Sequence, residues 1–285
     1  MGFSINTNVA SLNAQRNLMK STNALGTTYQ RLSSGLRINS AKDDAAGLSI
    51  STRMTAQIRG INQAVRNAND SISLVQVAEG ALDETTNSLQ RIRELAVQAA
   101  NDTLTAGDRE DIQKEMHELV AEIQRISTTT EFNDQSLLQG SYAAGKTMHV
   151  GADAGQTITV SITNVSVGAL GVNSTQGGVF IYSATHTDAS MQIDANSVIN
   201  VVDAALDSVA DIRAQLGSYQ NRFESVITNL TNVSENTSAA RSQIMDADIA
   251  SETANLTKNA ILQQAGVAIL SQANQQPQLA LQLLS

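Results

Sequence analysis

The sequence predicts a mainly α-helical protein in which long antiparallel coiled-coil helices, formed by the N- and C-terminal segments, flank a small β-hairpin insertion. Apolar residues recur every seven positions in two long stretches, as they do along coiled-coil seams. Aromatic residues make up only 3% of the chain and tryptophan is absent, a composition that suits side-by-side helices filled with Ala, Leu, Ile and Val. A single proline in 285 residues leaves room for long uninterrupted helices.

Two heptad seams carry this prediction. The first predicts a helix over residues 54–100, about 70 Å long at roughly 1.5 Å per residue, and its seam positions are Met54, Ile61, Ala68, Val75, Leu82, Leu89 and Ala96. The second lies far downstream and consists of Val198, Ala205, Ile212, Tyr219, Val226, Val233, Ala240 and Ala247. Since each seam needs an apolar partner, we expect the two helices to pair.

A shorter helix and a β-rich insertion separate these seams. The helix follows a cap at Thr105 or Asp108, runs antiparallel to its predecessor and has apolar residues at Ile112, Met116, Leu119, Ile123 and Ile126. From Gly140 to about Asp194 the chain turns to Gly, Thr, Ser and Val, and Ile158, Val160 and Ile162 alternate with hydroxyl residues. This alternation predicts one or two β-hairpins at the far end of the rod or on its flank.

Apolar residues at helical spacing also occupy both chain ends. The last fourteen residues, "QANQQPQLALQLLS", place the single proline, Pro277, just before four leucines in six positions. Further apolar residues, Ile261, Leu262 and Ile269, lie outside one narrow helical stripe. More than one face of the C-terminal helix therefore requires burial.

Composition and motifs argue against several classes of function. The net charge is −9 without a Lys/Arg run, so neither nucleic acid nor a membrane is an expected partner. The motif "HELVA" at His117 begins like a zinc-binding helix but has Ala121 where the second histidine would stand. We therefore expect no enzyme activity, no metal and no cofactor, and we expect His117 to be a solvated residue on a helix face.

The segment "SGLRINSAKDDAAGLS", residues 34–49, predicts a break between two helices. Gly35 can end the first helix, and Asn39 and Ser40 can form a turn. Asp43 and Asp44 are expected to stabilise the start of the next helix through its dipole. A divalent-ion site is the alternative, but the Asp-x-Asn-x-Asp-Gly spacing of a calcium loop is absent.

The same segment resembles a known family. "LSSGLRINSAKDDAAGLSISTRM" at residues 32–54 is similar to the N-terminal signature of bacterial flagellins, as are "SLVQVAEGALDETTNSLQRIRELAVQAAN" at 73–101 and "EFNDQSLLQG" at 131–140. The C-terminal "ILQQAGVAILSQANQQPQLALQLLS" is similar as well. Asp134 stands where the family usually has glycine. Residues 141–194 match no particular member, so the resemblance implies a short flagellin with a reduced variable region.

The resemblance implies a structural subunit that polymerises into the helical flagellar filament used for swimming, secreted outside the cell without a cleaved signal. It implies a terminal coiled-coil domain lining the filament core (1–44 with 243–285), a helical rod domain (45–140 with 195–242) and the insertion (141–194). Its partners would be further copies of itself, the flagellar export apparatus, a secretion chaperone, and the filament cap and hook-junction proteins. The alternatives are a hook-filament junction protein and a secreted adhesin or binding protein.

Two sets of residues follow from this reading. Polymerisation is assigned to the apolar residues of the ends: Ile5, Val9, Leu12, Leu18, Leu25, Leu32, Leu256, Val267, Leu270, Leu279, Leu281 and Leu284. By resemblance, Arg91, Leu95 and Glu115 match positions that an animal Toll-like receptor contacts in family members. We expect that these three residues occur mainly because they pack in the rod or in the filament.

Overall fold

The computed structural model describes residues 7–173, 179 and 188–282, with side chains described in 7–173, 179 and 194–275. Within these ranges the helices are α1 (Val9–Ser34), α2 (Ala45–Ala99), α3 (Ala106–Thr129), α4 (Asp188–Met245) and α5 (Ile249–Gln282). The strands are β1 (Glu131–Phe132), β2 (Gln135–Ser136), β3 (Lys146–His149) and β4 (Thr157–Val160). The helical fold with a small antiparallel strand region in the middle is confirmed.

The chain forms two compact units, each made of segments distant in sequence. We call Met1–Ile58 with Glu235–Ser285 the terminal unit, and Arg59–Ser234 the middle unit. The terminal unit contains α1 and α5 and the adjoining ends of α2 and α4. The middle unit contains the rest of those two long helices, together with α3 and all four strands.

The core of the middle unit lies along the two heptad seams. Every predicted seam position of α2 in this unit is buried, namely Ile61, Ala68, Val75, Leu82, Leu89 and Ala96. On α4 the buried positions are Val198, Val202, Ala205, Val209, Ile212, Leu216 and Phe223. The periodicity therefore identified the packed face of α2 and that of α4 as far as Phe223. The predicted seam positions Tyr219 and Val226 are half-buried, and Val233, beyond Phe223, is 37% exposed, which corrects the prediction there.

Polar pairs beside the seam show that α2 and α4 run antiparallel in the middle unit. Arg93 Nε lies 2.6 Å from Asp203 Oδ1, and Arg213 Nη2 lies 3.1 Å from Asp83 Oδ1. From Asp83 to Arg93 the chain advances ten residues along α2, whereas from Arg213 to Asp203 it goes back ten along α4. The two helices thus keep one register between these pairs.

A capping box and a buried arginine hold α3 against α2. The Thr105 hydroxyl accepts from the Asp108 N–H, while the Asp108 carboxylate accepts from the Thr105 N–H at 2.9 Å, as a capping box requires. This backbone bond, followed by the bond from the Thr105 hydroxyl, lowers the pKa of Asp108. Arg109 is buried and its guanidinium donates to the carbonyls of Ala99 and Asn101 at 2.9 and 3.0 Å, which fixes the turn between the two helices.

The first hairpin, β1–β2, closes through a two-residue turn at Asn133 and Asp134. Both residues have positive φ, at 51° and 60°, as a type I′ turn demands at its two central positions. Asparagine and aspartate tolerate this left-handed region better than other residues with a Cβ. Asp134, where the family usually has glycine, therefore keeps the turn geometry that glycine would adopt more readily.

The second hairpin, β3–β4, lies on the flank of α2 within the middle unit. A Cβ added to Gly60 of α2 would lie 3.2 Å from the Cβ of Ala152 in the hairpin loop. Asn67 Nδ2 donates to the His149 carbonyl at 3.0 Å. The alternating residues Ile158, Val160 and Ile162 are buried, as their spacing predicted. Only this hairpin occupies the described part of the insertion, since β1–β2 precedes it.

Candidate polymerisation surface

In the terminal unit, α1 packs against α5 with small and polar residues buried and with leucines such as Leu18 half-buried. Among the described residues, the buried ones of this pair are Ser11, Ala14, Thr28, Glu252 and Ala273. The helices approach closely at Gly266, where an added Cβ would lie 3.3 Å from Leu18 Cδ1. Small residues permit this approach, but they bury little apolar area.

Hydrogen bonds tie the start of α1 to α5. Asn8 caps α1, because its Oδ1 accepts from the Ser11 N–H at 3.1 Å. The same side chain donates from Nδ2 to the Ala273 carbonyl at 2.7 Å. Ser11 Oγ donates to Asn274 Oδ1 at 2.8 Å. One polar cluster therefore joins residues about 265 positions apart in the sequence.

An enclosed ion pair links the other end of α1 to α5. Arg31 Nη1 lies 3.1 Å from Glu252 Oε1, and the Glu252 side chain is only 11% exposed. Breaking an ion pair that is shielded from water is costly, because one charge is left without its partner. Glu252 did not stand out in the sequence, since a single glutamate in a helix forms no periodic pattern.

The segment that follows α1 is also hydrogen-bonded to the segment between α4 and α5. The Arg37 N–H donates to the Met245 carbonyl at 2.6 Å, and the Ala247 N–H donates to the Gly35 carbonyl at 2.9 Å. Gly35 ends α1 with φ 71°, as its position in the sequence predicted. The segment after α1 is therefore anchored to the segment between α4 and α5.

The two aspartates before α2 have different roles. Asp43 Oδ2 accepts from the N–H groups of Asn39 and Ser40 and from the Ser40 hydroxyl. The hydroxyl bond is the main reason why the pKa of Asp43 is lowered. Asp44 Oδ1 instead accepts from the Gly47 N–H at 2.9 Å. The structure gives the two aspartates different partners: Asp44 caps α2, and Asp43 holds the turn before it.

The remaining faces of α1 and α5 expose large apolar side chains. Their exposed fractions run from 46% to 64%. On α1 these residues are Val9, Leu12, Met19 and Tyr29, and on α5 they are Ile249, Ile261, Leu262, Val267 and Ile269. We call these nine residues the terminal apolar surface. Elsewhere in the described chain, the exposed large apolar residues are Ile50, Val77, Val97 and Val233.

The residues to which the sequence assigned polymerisation fall into four groups. Val9, Leu12 and Val267 belong to the terminal apolar surface. The half-buried group comprises Leu18, Leu25, Leu32, Leu256 and Leu270. Leu279 and Leu281 lie in α5 beyond the described side chains, and Ile5 and Leu284 lie outside the described residues.

Sequence reasoning left six members of this surface out of the assignment: Met19, Tyr29, Ile249, Ile261, Leu262 and Ile269. A single heptad frame selects one stripe per helix, whereas α5 has apolar residues on several faces. The off-stripe positions Ile261, Leu262 and Ile269 carried the signal that would have found half of these residues.

The three receptor-matched residues lie together between α2 and α3, but only two are at the surface. Arg91 Nη2 lies 2.8 Å from Glu115 Oε1, with both side chains about half exposed. Arg91 also pairs with Glu94 at 3.1 Å, and its pKa is raised by these partners, Glu115 first. Leu95 is only 2% exposed, so it belongs to the core of the middle unit.

The described residues do not assemble an evident chemical site. His117 is half-buried with its Nε2 enclosed and lacking a hydrogen-bond partner, so the expectation of a solvated side chain is wrong. No group of three or more His, Cys, Asp or Glu in the described chain is arranged to hold a metal ion. A groove beside β3 is lined by apolar residues such as Leu74 and also by Asp70, Ser71 and His149. The Ser71 hydroxyl donates to the Asn67 carbonyl at 2.7 Å, within its own helix.

None of the helices, over the residues the structure describes, combines the length and the apolar character needed to cross a membrane. The exposed apolar residues of α5 are interrupted by polar ones such as Gln263, Gln264 and Ser271. These residues therefore form patches along the helix and not a continuous apolar cylinder.

Comparison with known proteins identifies both ends of the chain. Residues 5–143 match the family model described as the bacterial flagellin N-terminal helical region. Residues 199–284 match the bacterial flagellin C-terminal helical region. The fold resembles that of a flagellar hook-associated protein from Vibrio parahaemolyticus, with a TM-score of 0.60 and 15% identity over 72% of this chain and all of that one. At this identity the likeness concerns the fold alone.

Full-length relatives agree with the family models. A flagellin of Halalkalibacterium halodurans is 46% identical, with 98% of this chain and 99% of the relative covered. A flagellin of Bacillus subtilis is 44% identical over the same shares. The alternatives of a hook-filament junction protein and an adhesin are not favoured by these matches. By its two matched ends and its full-length relatives, the chain belongs to the bacterial flagellin family.

Proposed function

We propose that this flagellin polymerises through the terminal apolar surface of α1 and α5. As a flagellin, the chain is a structural subunit of the helical flagellar filament. The observation that carries the proposal is the exposure of nine large apolar side chains on two helices that already pack against each other. Exposed apolar patches on a protein surface are typical of an interface with other protein chains.

The free energy of assembly would come from the sum of many small contributions. Completing the burial of a side chain that is already half buried stabilises an assembly by about 1 kcal/mol. Nine such side chains per subunit therefore provide several kcal/mol, which can exceed the entropic cost of association. Because α5 carries apolar residues on more than one face, one subunit can contact several neighbours. Repeated contacts between different faces generate open helical assemblies.

The terminal apolar surface supports the division into domains that the sequence predicts. We propose that the terminal coiled-coil domain, 1–44 with 243–285, lines the filament core, where copies bury one another's apolar faces. The rod domain and the insertion would then form the outer part of the subunit. In this proposal, the tail leucines to which the sequence assigned polymerisation extend the same interface. They are Leu279, Leu281 and Leu284.

The proposal includes further partners and a location. The subunit is secreted and reaches the extracellular filament through the flagellar export apparatus, with a secretion chaperone, and meets cap and hook-junction proteins there. Arg91 and Glu115 are candidates for contact with an animal Toll-like receptor, with Leu95 supporting them from the core. No catalytic role, metal or cofactor is proposed for the subunit.

The test compares two matched double variants of the full chain in filament-seed extension, followed by electron microscopy. Ile261→Ser with Ile269→Ser removes two residues of the terminal apolar surface that are 60% and 58% exposed. Val77→Ser with Val97→Ser is the control, because both valines are exposed in the middle unit. We expect the first variant to raise the critical concentration at least tenfold and the control to change it less than twofold. Equal effects would contradict the proposal.

A further inference from the structure

The chain's single proline lies inside a helix. Helix α5 extends from Ile249 to Gln282 and so runs through Pro277. In a regular α-helix the carbonyl of residue 273 accepts from the N–H of residue 277, four positions later. Proline has no N–H, so this bond is missing from the helix. The Ala273 carbonyl therefore loses its usual donor.

The Ala273 carbonyl lies in a part-buried position. Ala273 itself is 6% exposed and is one of the few buried residues of the α1–α5 pair among those described. A carbonyl that is largely shielded from water and lacks a donor destabilises the fold. A donor from elsewhere in the protein therefore stabilises the continuation of α5 beside α1.

Asn8 provides that donor. Its Nδ2 lies 2.7 Å from the Ala273 oxygen, a short and well-formed distance for an N–H···O bond. The orientation of the amide follows from its second bond, because Oδ1 accepts from the Ser11 N–H at 3.1 Å. With the oxygen committed to the cap of α1, the amide nitrogen faces α5.

We infer that Asn8 is a positioning residue that replaces the N–H missing at Pro277 and thereby sets the register of α1 on α5. A slip of one helical turn, about 5.4 Å, would move Asn8 away from Ala273 and leave the carbonyl unbonded. The same side chain caps α1, so the start of α1 and the last part of α5 become ordered together. Its consequence for the filament rests on the proposed function, whereas the bond itself lies within one chain.

A double-mutant cycle tests the inference in the full chain. Asn8→Ser keeps a good helix cap but removes the amide donor. Pro277→Ala restores an N–H at residue 277, so that Ala273 can accept within α5. Asn17→Ser is the matched control, since Asn17 is an exposed asparagine on the same helix. Amide hydrogen exchange of α1 and α5 is measured in the isolated chain, and the critical concentration for seed extension is measured in parallel.

The expected result is coupling between the two positions. With Pro277 present, Asn8→Ser should accelerate exchange in α1 and α5 about two- to tenfold, the range for losing one hydrogen bond. With Pro277→Ala, the same change should alter exchange less than twofold, as should Asn17→Ser in either background. A general capping defect cannot produce this rescue, because Pro277→Ala does not alter the start of α1.

The two readouts separate the inference from the proposed function. Equal acceleration by Asn8→Ser in both backgrounds overturns the inference, and so does a wild-type chain whose α1 and α5 show no protection. The extension assay decides the proposed function independently. Coupling in exchange with unchanged extension would keep the Asn8 bond and show that it does not contribute to assembly, while the Ile261 and Ile269 variant decides the proposed function.

Discussion

The middle and terminal units are both built on antiparallel helices, yet they distribute apolar residues in opposite ways. In the middle unit, large residues such as Leu82, Leu89 and Phe223 are fully buried. In the terminal unit, the α1–α5 contact buries serine, threonine and alanine, while Ile261 and Ile269 remain exposed. The first arrangement stabilises a single chain, and the second leaves apolar surface exposed. Under the proposed function, stability and assembly would depend on separate parts of this protein.

Removing the tail should have the largest effect, and it should impair assembly without changing the stability of the middle unit. We expect a chain ending at Gln276 to keep the melting transition of the middle unit but to fail to extend filament seeds. The removed residues belong to the terminal unit, and their four leucines would contribute about 6 to 12 kcal/mol if buried between subunits. The protein should be purified from the cytoplasm, so that export does not affect the result. Normal extension by the truncated chain would show that the tail is not a polymerisation element.

Two single substitutions, one in the core and one on the surface, compare how much a side chain of each unit contributes to the stability of the isolated chain. Phe223→Ala should lower the free energy of unfolding of the middle unit by about 3 to 5 kcal/mol, because the ring is fully buried. Ile261→Ala, on a side chain 60% exposed, should change the unfolding of the isolated chain by less than about 0.5 kcal/mol. Thermal and denaturant unfolding measure both. Similar losses in the two variants would mean that the isolated chain buries the terminal apolar surface.

The smallest expected effect comes from the β1–β2 turn. Asp134→Gly should stabilise the middle unit by about 0.5 to 1 kcal/mol, because a residue with a Cβ pays a steric cost at φ 60°. Seed extension should be unchanged, since the turn lies in the middle unit. Asn87→Gly, on the exposed surface of helix α2, is the control and should destabilise by roughly 0.3 kcal/mol, the difference between the helix propensities of the two residues. A destabilising Asp134→Gly would show that this side chain has a role beyond the turn.

The sequence alone determined the elements whose residues repeat with a regular period. Heptads in α2 and α4 and the alternation at Ile158 and Val160 each mark a buried face, because burial selects apolar residues at the period of the helix or strand. Local capping was also legible, since Thr105 and Gly35 act on neighbours a few positions away. Asp43 and Asp44 show what the sequence cannot distinguish. Both residue types suit a helix start, and only the folded turn gives them different hydrogen-bond partners.

Tertiary structure decided which apolar residues of the ends face a partner within the chain and which remain exposed. Periodicity cannot rank the several apolar faces of α5, because all of them look alike until α1 occupies one. Contacts between distant residues, such as Arg31 with Glu252, likewise leave no local pattern. The sequence shows that Pro277 removes a backbone donor, but only the fold brings Asn8 within 2.7 Å of the carbonyl left behind. That placement depends on how two helices from opposite ends of the chain pack, which no local stretch of residues specifies.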